Sequence, residues 1–280
     1  MLYDLKAKIE INQQISPSVY YLELSMPTIP AKLVPGHFVH IRLIGTNDPL
    51  LRRPLSVNRI VEHKVKNKTI KNIGMVYKIV GKGTNLLKEM AVGEQVDVLG
   101  PLGNGFNLAC LKPKQPIIFV SGGMGIAPLL FLAQTLSLKK TKKQIMAFVG
   151  MDTKKQLICQ DDLKKLGCAL KISTDDGSCG FQGYVSELLE TYLAKTSPKQ
   201  LKPYIYACGP KPMLKALGIV AKKFDLSGQV SLDEMMGCGI GACLGCVIKT
   251  RDPKNPEQAV YKRICKDGPV FDINEIIWEE

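Results

Sequence analysis

The rhythm of apolar residues changes once along this 280-residue chain, near Pro101, and the change calls for two architectures in series. Before it, six runs have strand period: Leu5 to Ile11, Val19 to Met26, Phe38 to Leu43, Leu55 to Ile60, Ile73 to Val80 and Gln95 to Leu99. Turn signals such as Pro35-Gly36, Asn47-Asp48-Pro49 and Gly81-Lys82-Gly83 separate them, and only a short piece near Thr84 to Met90 is helical in character. Six strands without crossover helices predict a small antiparallel barrel, which closes its own edges. After Pro101, strand and helix alternate: Ile117 to Val120 with Pro128 to Leu138, Ile145 to Val149, Leu170 to Ser173 with Tyr184 to Leu193, and Tyr204 to Ala207 with Pro212 to Lys223. That pattern predicts a parallel sheet covered by helices, with ligands at the carboxyl ends of its strands. From about Gly237 a glycine and cysteine loop takes over, followed by a short polar tail through Glu280. The expected class is therefore β + α/β, divided at residues 1–100, 101–230 and 231–280.

The net charge of +13 raises nucleic acid as a partner, but 32 of the 38 basic residues are lysines scattered in ones and twos. Nucleic-acid recognition favours arginine forks interleaved with aromatics, so a solvated lysine-rich surface is the better reading. The uncharged stretch Gln115 to Leu138 is long enough for a membrane span, yet Ser121-Gly122-Gly123-Met124-Gly125-Ile126-Ala127-Pro128 interrupts it as strand, turn and helix start. Met1-Leu2-Tyr3-Asp4-Leu5-Lys6 has no apolar signal region, and a cytoplasmic protein without a membrane span is expected.

Nine cysteines are too sparse for a disulfide scaffold. Four of them, Cys238, Cys243, Cys246 and Cys265, crowd into the last 43 residues with Cys-x4-Cys-x2-Cys spacing and a fourth after 18 residues. This is the plant-type arrangement of thiolates around a [2Fe-2S] cluster. Gly237, Gly239, Gly241 and Gly245 let a short loop wrap an inorganic core and aim N–H groups at sulfur. Structural zinc also accepts four thiolates and stays open at this point, although zinc sites more often present two Cys-x2-Cys knuckles.

Two further segments carry binding chemistry. Arg52-Arg53-Pro54-Leu55-Ser56-Val57 opens a strand, and Tyr77-Lys78-Ile79-Val80-Gly81-Lys82-Gly83-Thr84 follows about twenty residues later. An arginine can clamp a pyrophosphate, a strand serine can hydrogen-bond a ring edge, and Gly83-Thr84 at a helix start can receive phosphate, though from this segment alone a plain strand and turn is the better reading. Gly122-Gly123-Met124-Gly125-Ile126-Ala127-Pro128 sits between strand and helix, the setting of dinucleotide-phosphate turns, but lacks Gly-x-Gly-x-x-Gly spacing. Cys208-Gly209-Pro210 ends another strand, where Cys208 also reads as an ordinary buried thiol. Thr174-Asp175-Asp176-Gly177 ends a third; its acidic pair would repel a 2'-phosphate and favours NAD over NADP, or forms a simple turn. His37, His40 and His63 show no ligand or triad spacing, and core or surface roles are expected for each.

The order of an Arg-x-x-Ser barrel and a Gly-Gly-x-Gly-x-Ala-Pro turn resembles the ferredoxin reductase superfamily. That resemblance implies that Arg53, Pro54, Leu55 and Ser56 cradle the flavin of FAD, with Ser56 near the reactive ring edge. It further implies that Val76, Tyr77 and Lys78 line the ring or ribityl chain, and that Gly83 and Thr84 hold the diphosphate. Gly122, Gly123 and Gly125 would serve NAD, with Cys208, Gly209 and Pro210 close to the nicotinamide. Within the superfamily, Met236-Gly237-Cys238-Gly239-Ile240-Gly241-Ala242-Cys243-Leu244-Gly245-Cys246-Val247, followed by Tyr261-Lys262-Arg263-Ile264-Cys265-Lys266-Asp267-Gly268-Pro269-Val270-Phe271, looks like the electron-transfer subunits of class 1B dihydroorotate dehydrogenases. The likeness covers nearly the whole chain. Its departures are Gly36-His37-Phe38, where glutamine is commoner, and a lysine-rich insertion around His63 to Asn72.

The family likeness implies a relay from the FMN of a separate catalytic subunit through [2Fe-2S] and FAD to NAD, in pyrimidine synthesis, within an assembly of two subunits of each kind. It also implies inactivity on dihydroorotate alone, because the chain lacks the barrel of eight strand-helix units that the catalytic subunit needs. The rivals are the flavin subunit of a sulfhydrogenase or NAD(P)H-ferredoxin oxidoreductase, whose gap before the last cysteine is shorter, and a zinc-stabilised nucleotide-binding module.

Overall fold

Six antiparallel strands close into a barrel in a computed structural model that describes residues 3–26, 33–65, 68–138, 144–196, 202–252 and 254–278. They are β1 (Tyr3–Ser16), β2 (Val19–Ser25), β3 (Phe38–Leu43), β4 (Arg53–Val65), β5 (Lys68–Lys78) and β6 (Gln95–Leu102), ordered β1-β2-β5-β4-β3-β6 around the wall. Alternation drives closure: Val96 and Val98 of β6 turn inward, and β6 pairs with both β1 and β3 so that no edge remains. Ile9, Leu22, Val39, Val57 and Met75 fill the interior. The short helix α1 (Lys82–Lys88) caps one end, where Leu87 joins that core.

Beyond Pro101 come β7 (Ile117–Gly122), α2 (Ile126–Leu138), β8 (Ile145–Met151), α3 (Gln160–Lys165), β9 (Ala169–Thr174), β10 (Phe181–Gln182), α4 (Val185–Thr196), β11 (Tyr204–Gly209), α5 (Lys211–Lys223) and β12 (Ser227–Leu232). The carboxyl-terminal segment adds a hairpin, β13 (Val247–Arg251) with β14 (Ala259–Arg263), and a last strand β15 (Val270–Asp272). The main sheet runs β10-β9-β8-β7-β11-β12-β15, parallel except for β15, which pairs antiparallel with β12. β7 and β11 are buried along their whole length, as expected of central strands covered on both faces. Strand order reverses between them, which opens a crevice at their carboxyl ends.

The two halves interlock. Phe131 of α2 packs into the barrel core, while Phe38 and Leu102 of the barrel pack among residues of the sheet domain. Gln134 on α2 fastens the seam through its amide: Nε2 donates to the Ile60 carbonyl at 3.1 Å, and the Ile60 N–H donates to Oε1 at 3.3 Å. Arg59 on β4 donates to Asp162 on α3 at 2.5 Å.

The structure differs from the sequence reading in several places, and β10, β12, β13 and β14 go unmarked by the apolar pattern. The expected polar tail is folded: Phe271, Ile273 and Ile276 are buried, and β15 extends the sheet, apolar residues too few and too widely spaced to declare a period. The lysine-rich insertion prolongs β4 and β5 into a long hairpin with pairing out to Val65 and Lys68; residues 66–67 lie outside the described residues. Helix α3 escapes the pattern because only Leu163 of its six residues is buried. Among the described residues no helix is long and apolar enough to cross a membrane.

Candidate functional site

Three groups of residues converge around the seam. The first is the cysteine loop. Backbone contacts set the cysteines in two pairs: the Cys243 N–H donates to the Cys238 sulfur at 3.4 Å, and the Cys265 N–H donates to the Cys246 sulfur at 3.4 Å. The outer pair is accessible, with Cys243 exposed, whereas Cys246 and Cys265 are buried in the apolar cluster that contains Phe38. The Cys238 sulfur accepts N–H groups from Ala242 at 3.3 Å and Cys243 at 3.4 Å. Burial raises that thiol, but backbone N–H groups of Cys243, Ile240 and Ala242 outweigh it and bring it down to about 6. At Cys265 burial and the neighbouring Cys246 act together and push the thiol up to about 12. The loop needs left-handed backbone at Gly239 (φ 72°) and Gly241 (φ 85°). Arg263 holds the fold of the loop, pairing with Asp267 through Nε at 2.9 Å and Nη2 at 3.0 Å, while Nη1 donates to the Gly241 carbonyl at 3.3 Å.

Two thiol pairs, each with N–H donors, fit a cluster in which each iron takes two cysteines.

The second group is the Arg53–Ser56 segment of β4 with the turn into α1. Arg53 lies over Gly83, where any Cβ would collide with its guanidinium. The hydroxyl of Thr84 accepts the N–H groups of Val80 at 3.0 Å and Gly81 at 3.3 Å and donates to the Gly81 carbonyl, which locks the turn. Leu55 is buried in the barrel and Ser56, half-buried, pairs across the sheet with Phe38. The β5 residues split by face. Val76 packs at the seam with Val19 and Phe106, while Lys78 is exposed. Tyr77 turns into the barrel, where its hydroxyl donates to Asn12 at 2.9 Å and its ring stacks on Tyr20. Burial raises its phenol well above the usual range. The backbone cradle at Gly83 and the arginine above it suit a diphosphate.

The third group lies at the crevice between β7 and β11. A Cβ on Gly122 would meet Met213 Sδ at 2.6 Å, one on Gly209 would stand 3.0 Å from the Gly122 N, and one on Gly125 would strike the Cys208 carbonyl. Gly122, Gly125, Cys208, Gly209 and Pro210 are thus gathered at one strand-end junction, with Gly123 (φ 54°) open beside them. Cys208 is buried, and its loss of solvent, followed by the nearby Asp233, pushes the thiol up to about 12. Asp175 and Asp176 occupy the turn after β9; burial first, then Asp152, Asp176 and Glu187, raise the Asp175 carboxyl.

One residue gained significance only in three dimensions. His40 on β3 is fully buried, pairs across the sheet with Pro54, and packs under Gly239 of the cysteine loop. Its spacing in the chain carries no signal. Burial and the charge of Arg52 lower its pKa to about 4.

Comparison with known proteins agrees with this geometry. Residues 5–106 match an oxidoreductase FAD-binding domain, 119–218 an oxidoreductase NAD-binding domain, and 233–277 the iron-sulfur cluster binding domain of dihydroorotate dehydrogenase B. The chain is 38% identical over 98% of both sequences to the electron transfer subunit of dihydroorotate dehydrogenase B (NAD(+)) from Desulforamulus reducens. It is 38% identical over 94% of both to the subunit of the same name from Geobacillus kaustophilus. Among solved structures it resembles an NADH-dependent reduced ferredoxin-NADP oxidoreductase, with TM-score 0.78 and 29% identity over 97% of this chain and 90% of that one. The chain belongs to the electron transfer subunits of dihydroorotate dehydrogenase B, oxidoreductase subunits for NAD-linked electron transfer that use FAD and a [2Fe-2S] cluster.

Proposed function

We propose that this chain takes electrons from a separate FMN-containing subunit that oxidises dihydroorotate to orotate, and delivers them to NAD for pyrimidine synthesis, in a cytoplasmic assembly of two subunits of each kind. When bound, the cluster supplies one-electron exchange and FAD joins it to the two-electron chemistry of NAD. The chain's own residues bind and orient. Cys238 and Cys243 ligate one iron, and Cys246 and Cys265 the other. Arg53 and the Gly83-Thr84 turn receive the FAD diphosphate, Pro54, Leu55 and Ser56 back the flavin, and Val76 with the β5 backbone at Tyr77 and Lys78 shapes its flank. Gly122, Gly123 and Gly125 take the NAD phosphates, and Cys208, Gly209 and Pro210 close on the nicotinamide. The acidic turn at Asp175 and Asp176 disfavours a 2'-phosphate. The three units divide near residues 100 and 230.

The observation that carries this reading is the orientation of the thiol pairs. One is open to a partner, and the other shares an apolar cluster with Phe38, the cross-strand neighbour of Ser56. Exposed apolar side chains beside the open pair, Met235 at 88% and Leu244 at 60%, suit a docking face for the catalytic subunit. The test is to co-purify the chain with an FMN-containing dihydroorotate dehydrogenase subunit and follow NAD reduction by dihydroorotate. Activity is expected from the pair and from neither part alone; equal activity without this chain refutes the proposal.

A further inference from the structure

Neither ring nitrogen of His40 has a hydrogen-bond partner within the protein, although the residue has no exposed surface. Buried polar atoms are ordinarily paired, and a neutral imidazole offers one N–H donor and one acceptor. Orphaned nitrogens therefore point to a group that the polypeptide does not itself supply. Its position follows from the neighbours. The ring of Phe38, 5.7 Å away between centroids, flanks the imidazole, and Pro54 faces His40 across the sheet. Over the nitrogen-bearing end of the ring lies Gly239, where a Cβ would stand 2.6 Å from Cε1, 2.8 Å from Nδ1 and 2.9 Å from Nε2. Gly239 directly follows the ligand Cys238.

Resting on the function proposed above, we propose that His40 is a positioning residue of the iron-sulfur centre. Its ring supports the Cys238–Gly239 backbone from beneath, and its N–H donates a hydrogen bond to a sulfur acceptor of the loaded loop, thiolate or bridging sulfide. A donor to cluster sulfur stabilises the extra electron and raises the reduction potential. Glycine at 239 is then required for close approach as much as for its left-handed backbone.

The test uses the full chain, purified anaerobically with iron, sulfide and FAD quantified, and titrated redox-wise with the cluster followed by EPR and the flavin by absorbance. His40→Leu is expected to lower the equilibrium constant for cluster reduction about tenfold, which is about 59 mV for a one-electron couple. The FAD couple should stay in place. His40→Gln, which keeps an N–H, should recover part of the shift. Wild-type chain labelled with 15N-histidine covers the case in which variants fail to fold: pulsed EPR of the reduced cluster should show a weak 15N coupling that survives His37→Gln. An unmoved cluster potential in His40→Leu, a shift on the flavin couple instead, or no 15N coupling overturns the role of His40. Iron and sulfide missing from the wild-type chain would overturn the functional reading itself, and this proposal with it.

Discussion

At Gly83 an added Cβ would strike the far end of Arg53, a flexible side chain that can swing aside; at Gly125 it would strike the Cys208 carbonyl, which belongs to a central strand and cannot. The two substitutions should therefore fail differently. Gly83→Ala should leave unfolding temperature and iron content near wild type but displace the guanidinium from its proposed place on the FAD diphosphate, weakening FAD retention about tenfold, or about 1.4 kcal/mol. Flavin released on dilution, read by fluorescence, measures this, and unchanged retention would remove Arg53 and Gly83 from the FAD site. Gly125→Ala should cost about 1–3 kcal/mol of stability, the usual penalty of overpacking, and appear as an earlier urea midpoint. The cluster-binding segment was legible because a short loop that presents its proposed ligands must space four cysteines closely in the chain, and that spacing falls inside the matched iron-sulfur domain. His40 was not legible, since its meaning comes from Gly239 arriving about 200 residues later in the chain.

Elements were legible where one face is apolar and hidden where burial is sparse. The barrel strands and α4 and α5 announce themselves by period and α2 by its unbroken apolar run, whereas α3 buries one residue and β15 is three residues long. How elements join was also unreadable, and Gln134 illustrates the reason: a polar residue on an apolar helix, it satisfies both backbone groups of Ile60. Gln134→Ala should cost about 1–3 kcal/mol, because the Ile60 N–H and carbonyl lose their partners at the seam; a chemical denaturation midpoint equal to wild type would deny the clamp. The barrel rim carries an acid-sensitive element as well. Asp97 on β6 is raised by burial but lowered more by Arg42 and Arg52, whose guanidinium nitrogens lie 2.6 and 3.0 Å from its Oδ2. Its folded pKa is below the unfolded value, so the stabilisation is present above the unfolded value, about 3.9, and disappears as pH falls through the folded one. Melting temperature plotted from pH 7 to pH 3 should thus drop less steeply for Asp97→Asn than for wild type. Parallel curves would show that the arginines do not act through this carboxylate.

At the scale of the whole molecule, the segment that bears the cysteines is tied to both halves. Asn104, just past the barrel, donates its backbone N–H to the Gly268 carbonyl at 2.6 Å and its amide to the carbonyls of Lys266 at 3.1 Å and Asp267 at 3.0 Å. Three residues on, β15 enters the sheet beside β12, and Phe271 is buried in its core. The segment is thus held at its start by His40 under Gly239, and at its end by Asn104 and by a strand in the sheet of the nucleotide domain. Cooperative units follow such shared contacts, so cluster and flavin should be lost together when the wild-type chain is heated. Phe271→Ala removes the apolar anchor of β15 at a cost of about 3–5 kcal/mol, while leaving the barrel core and the Arg53–Gly83 contact intact. In that variant the iron-sulfur absorbance should bleach several degrees before flavin fluorescence appears. If both signals still move as one, the anchor of the cluster segment lies on the barrel side alone, and the sheet contributes nothing to holding it.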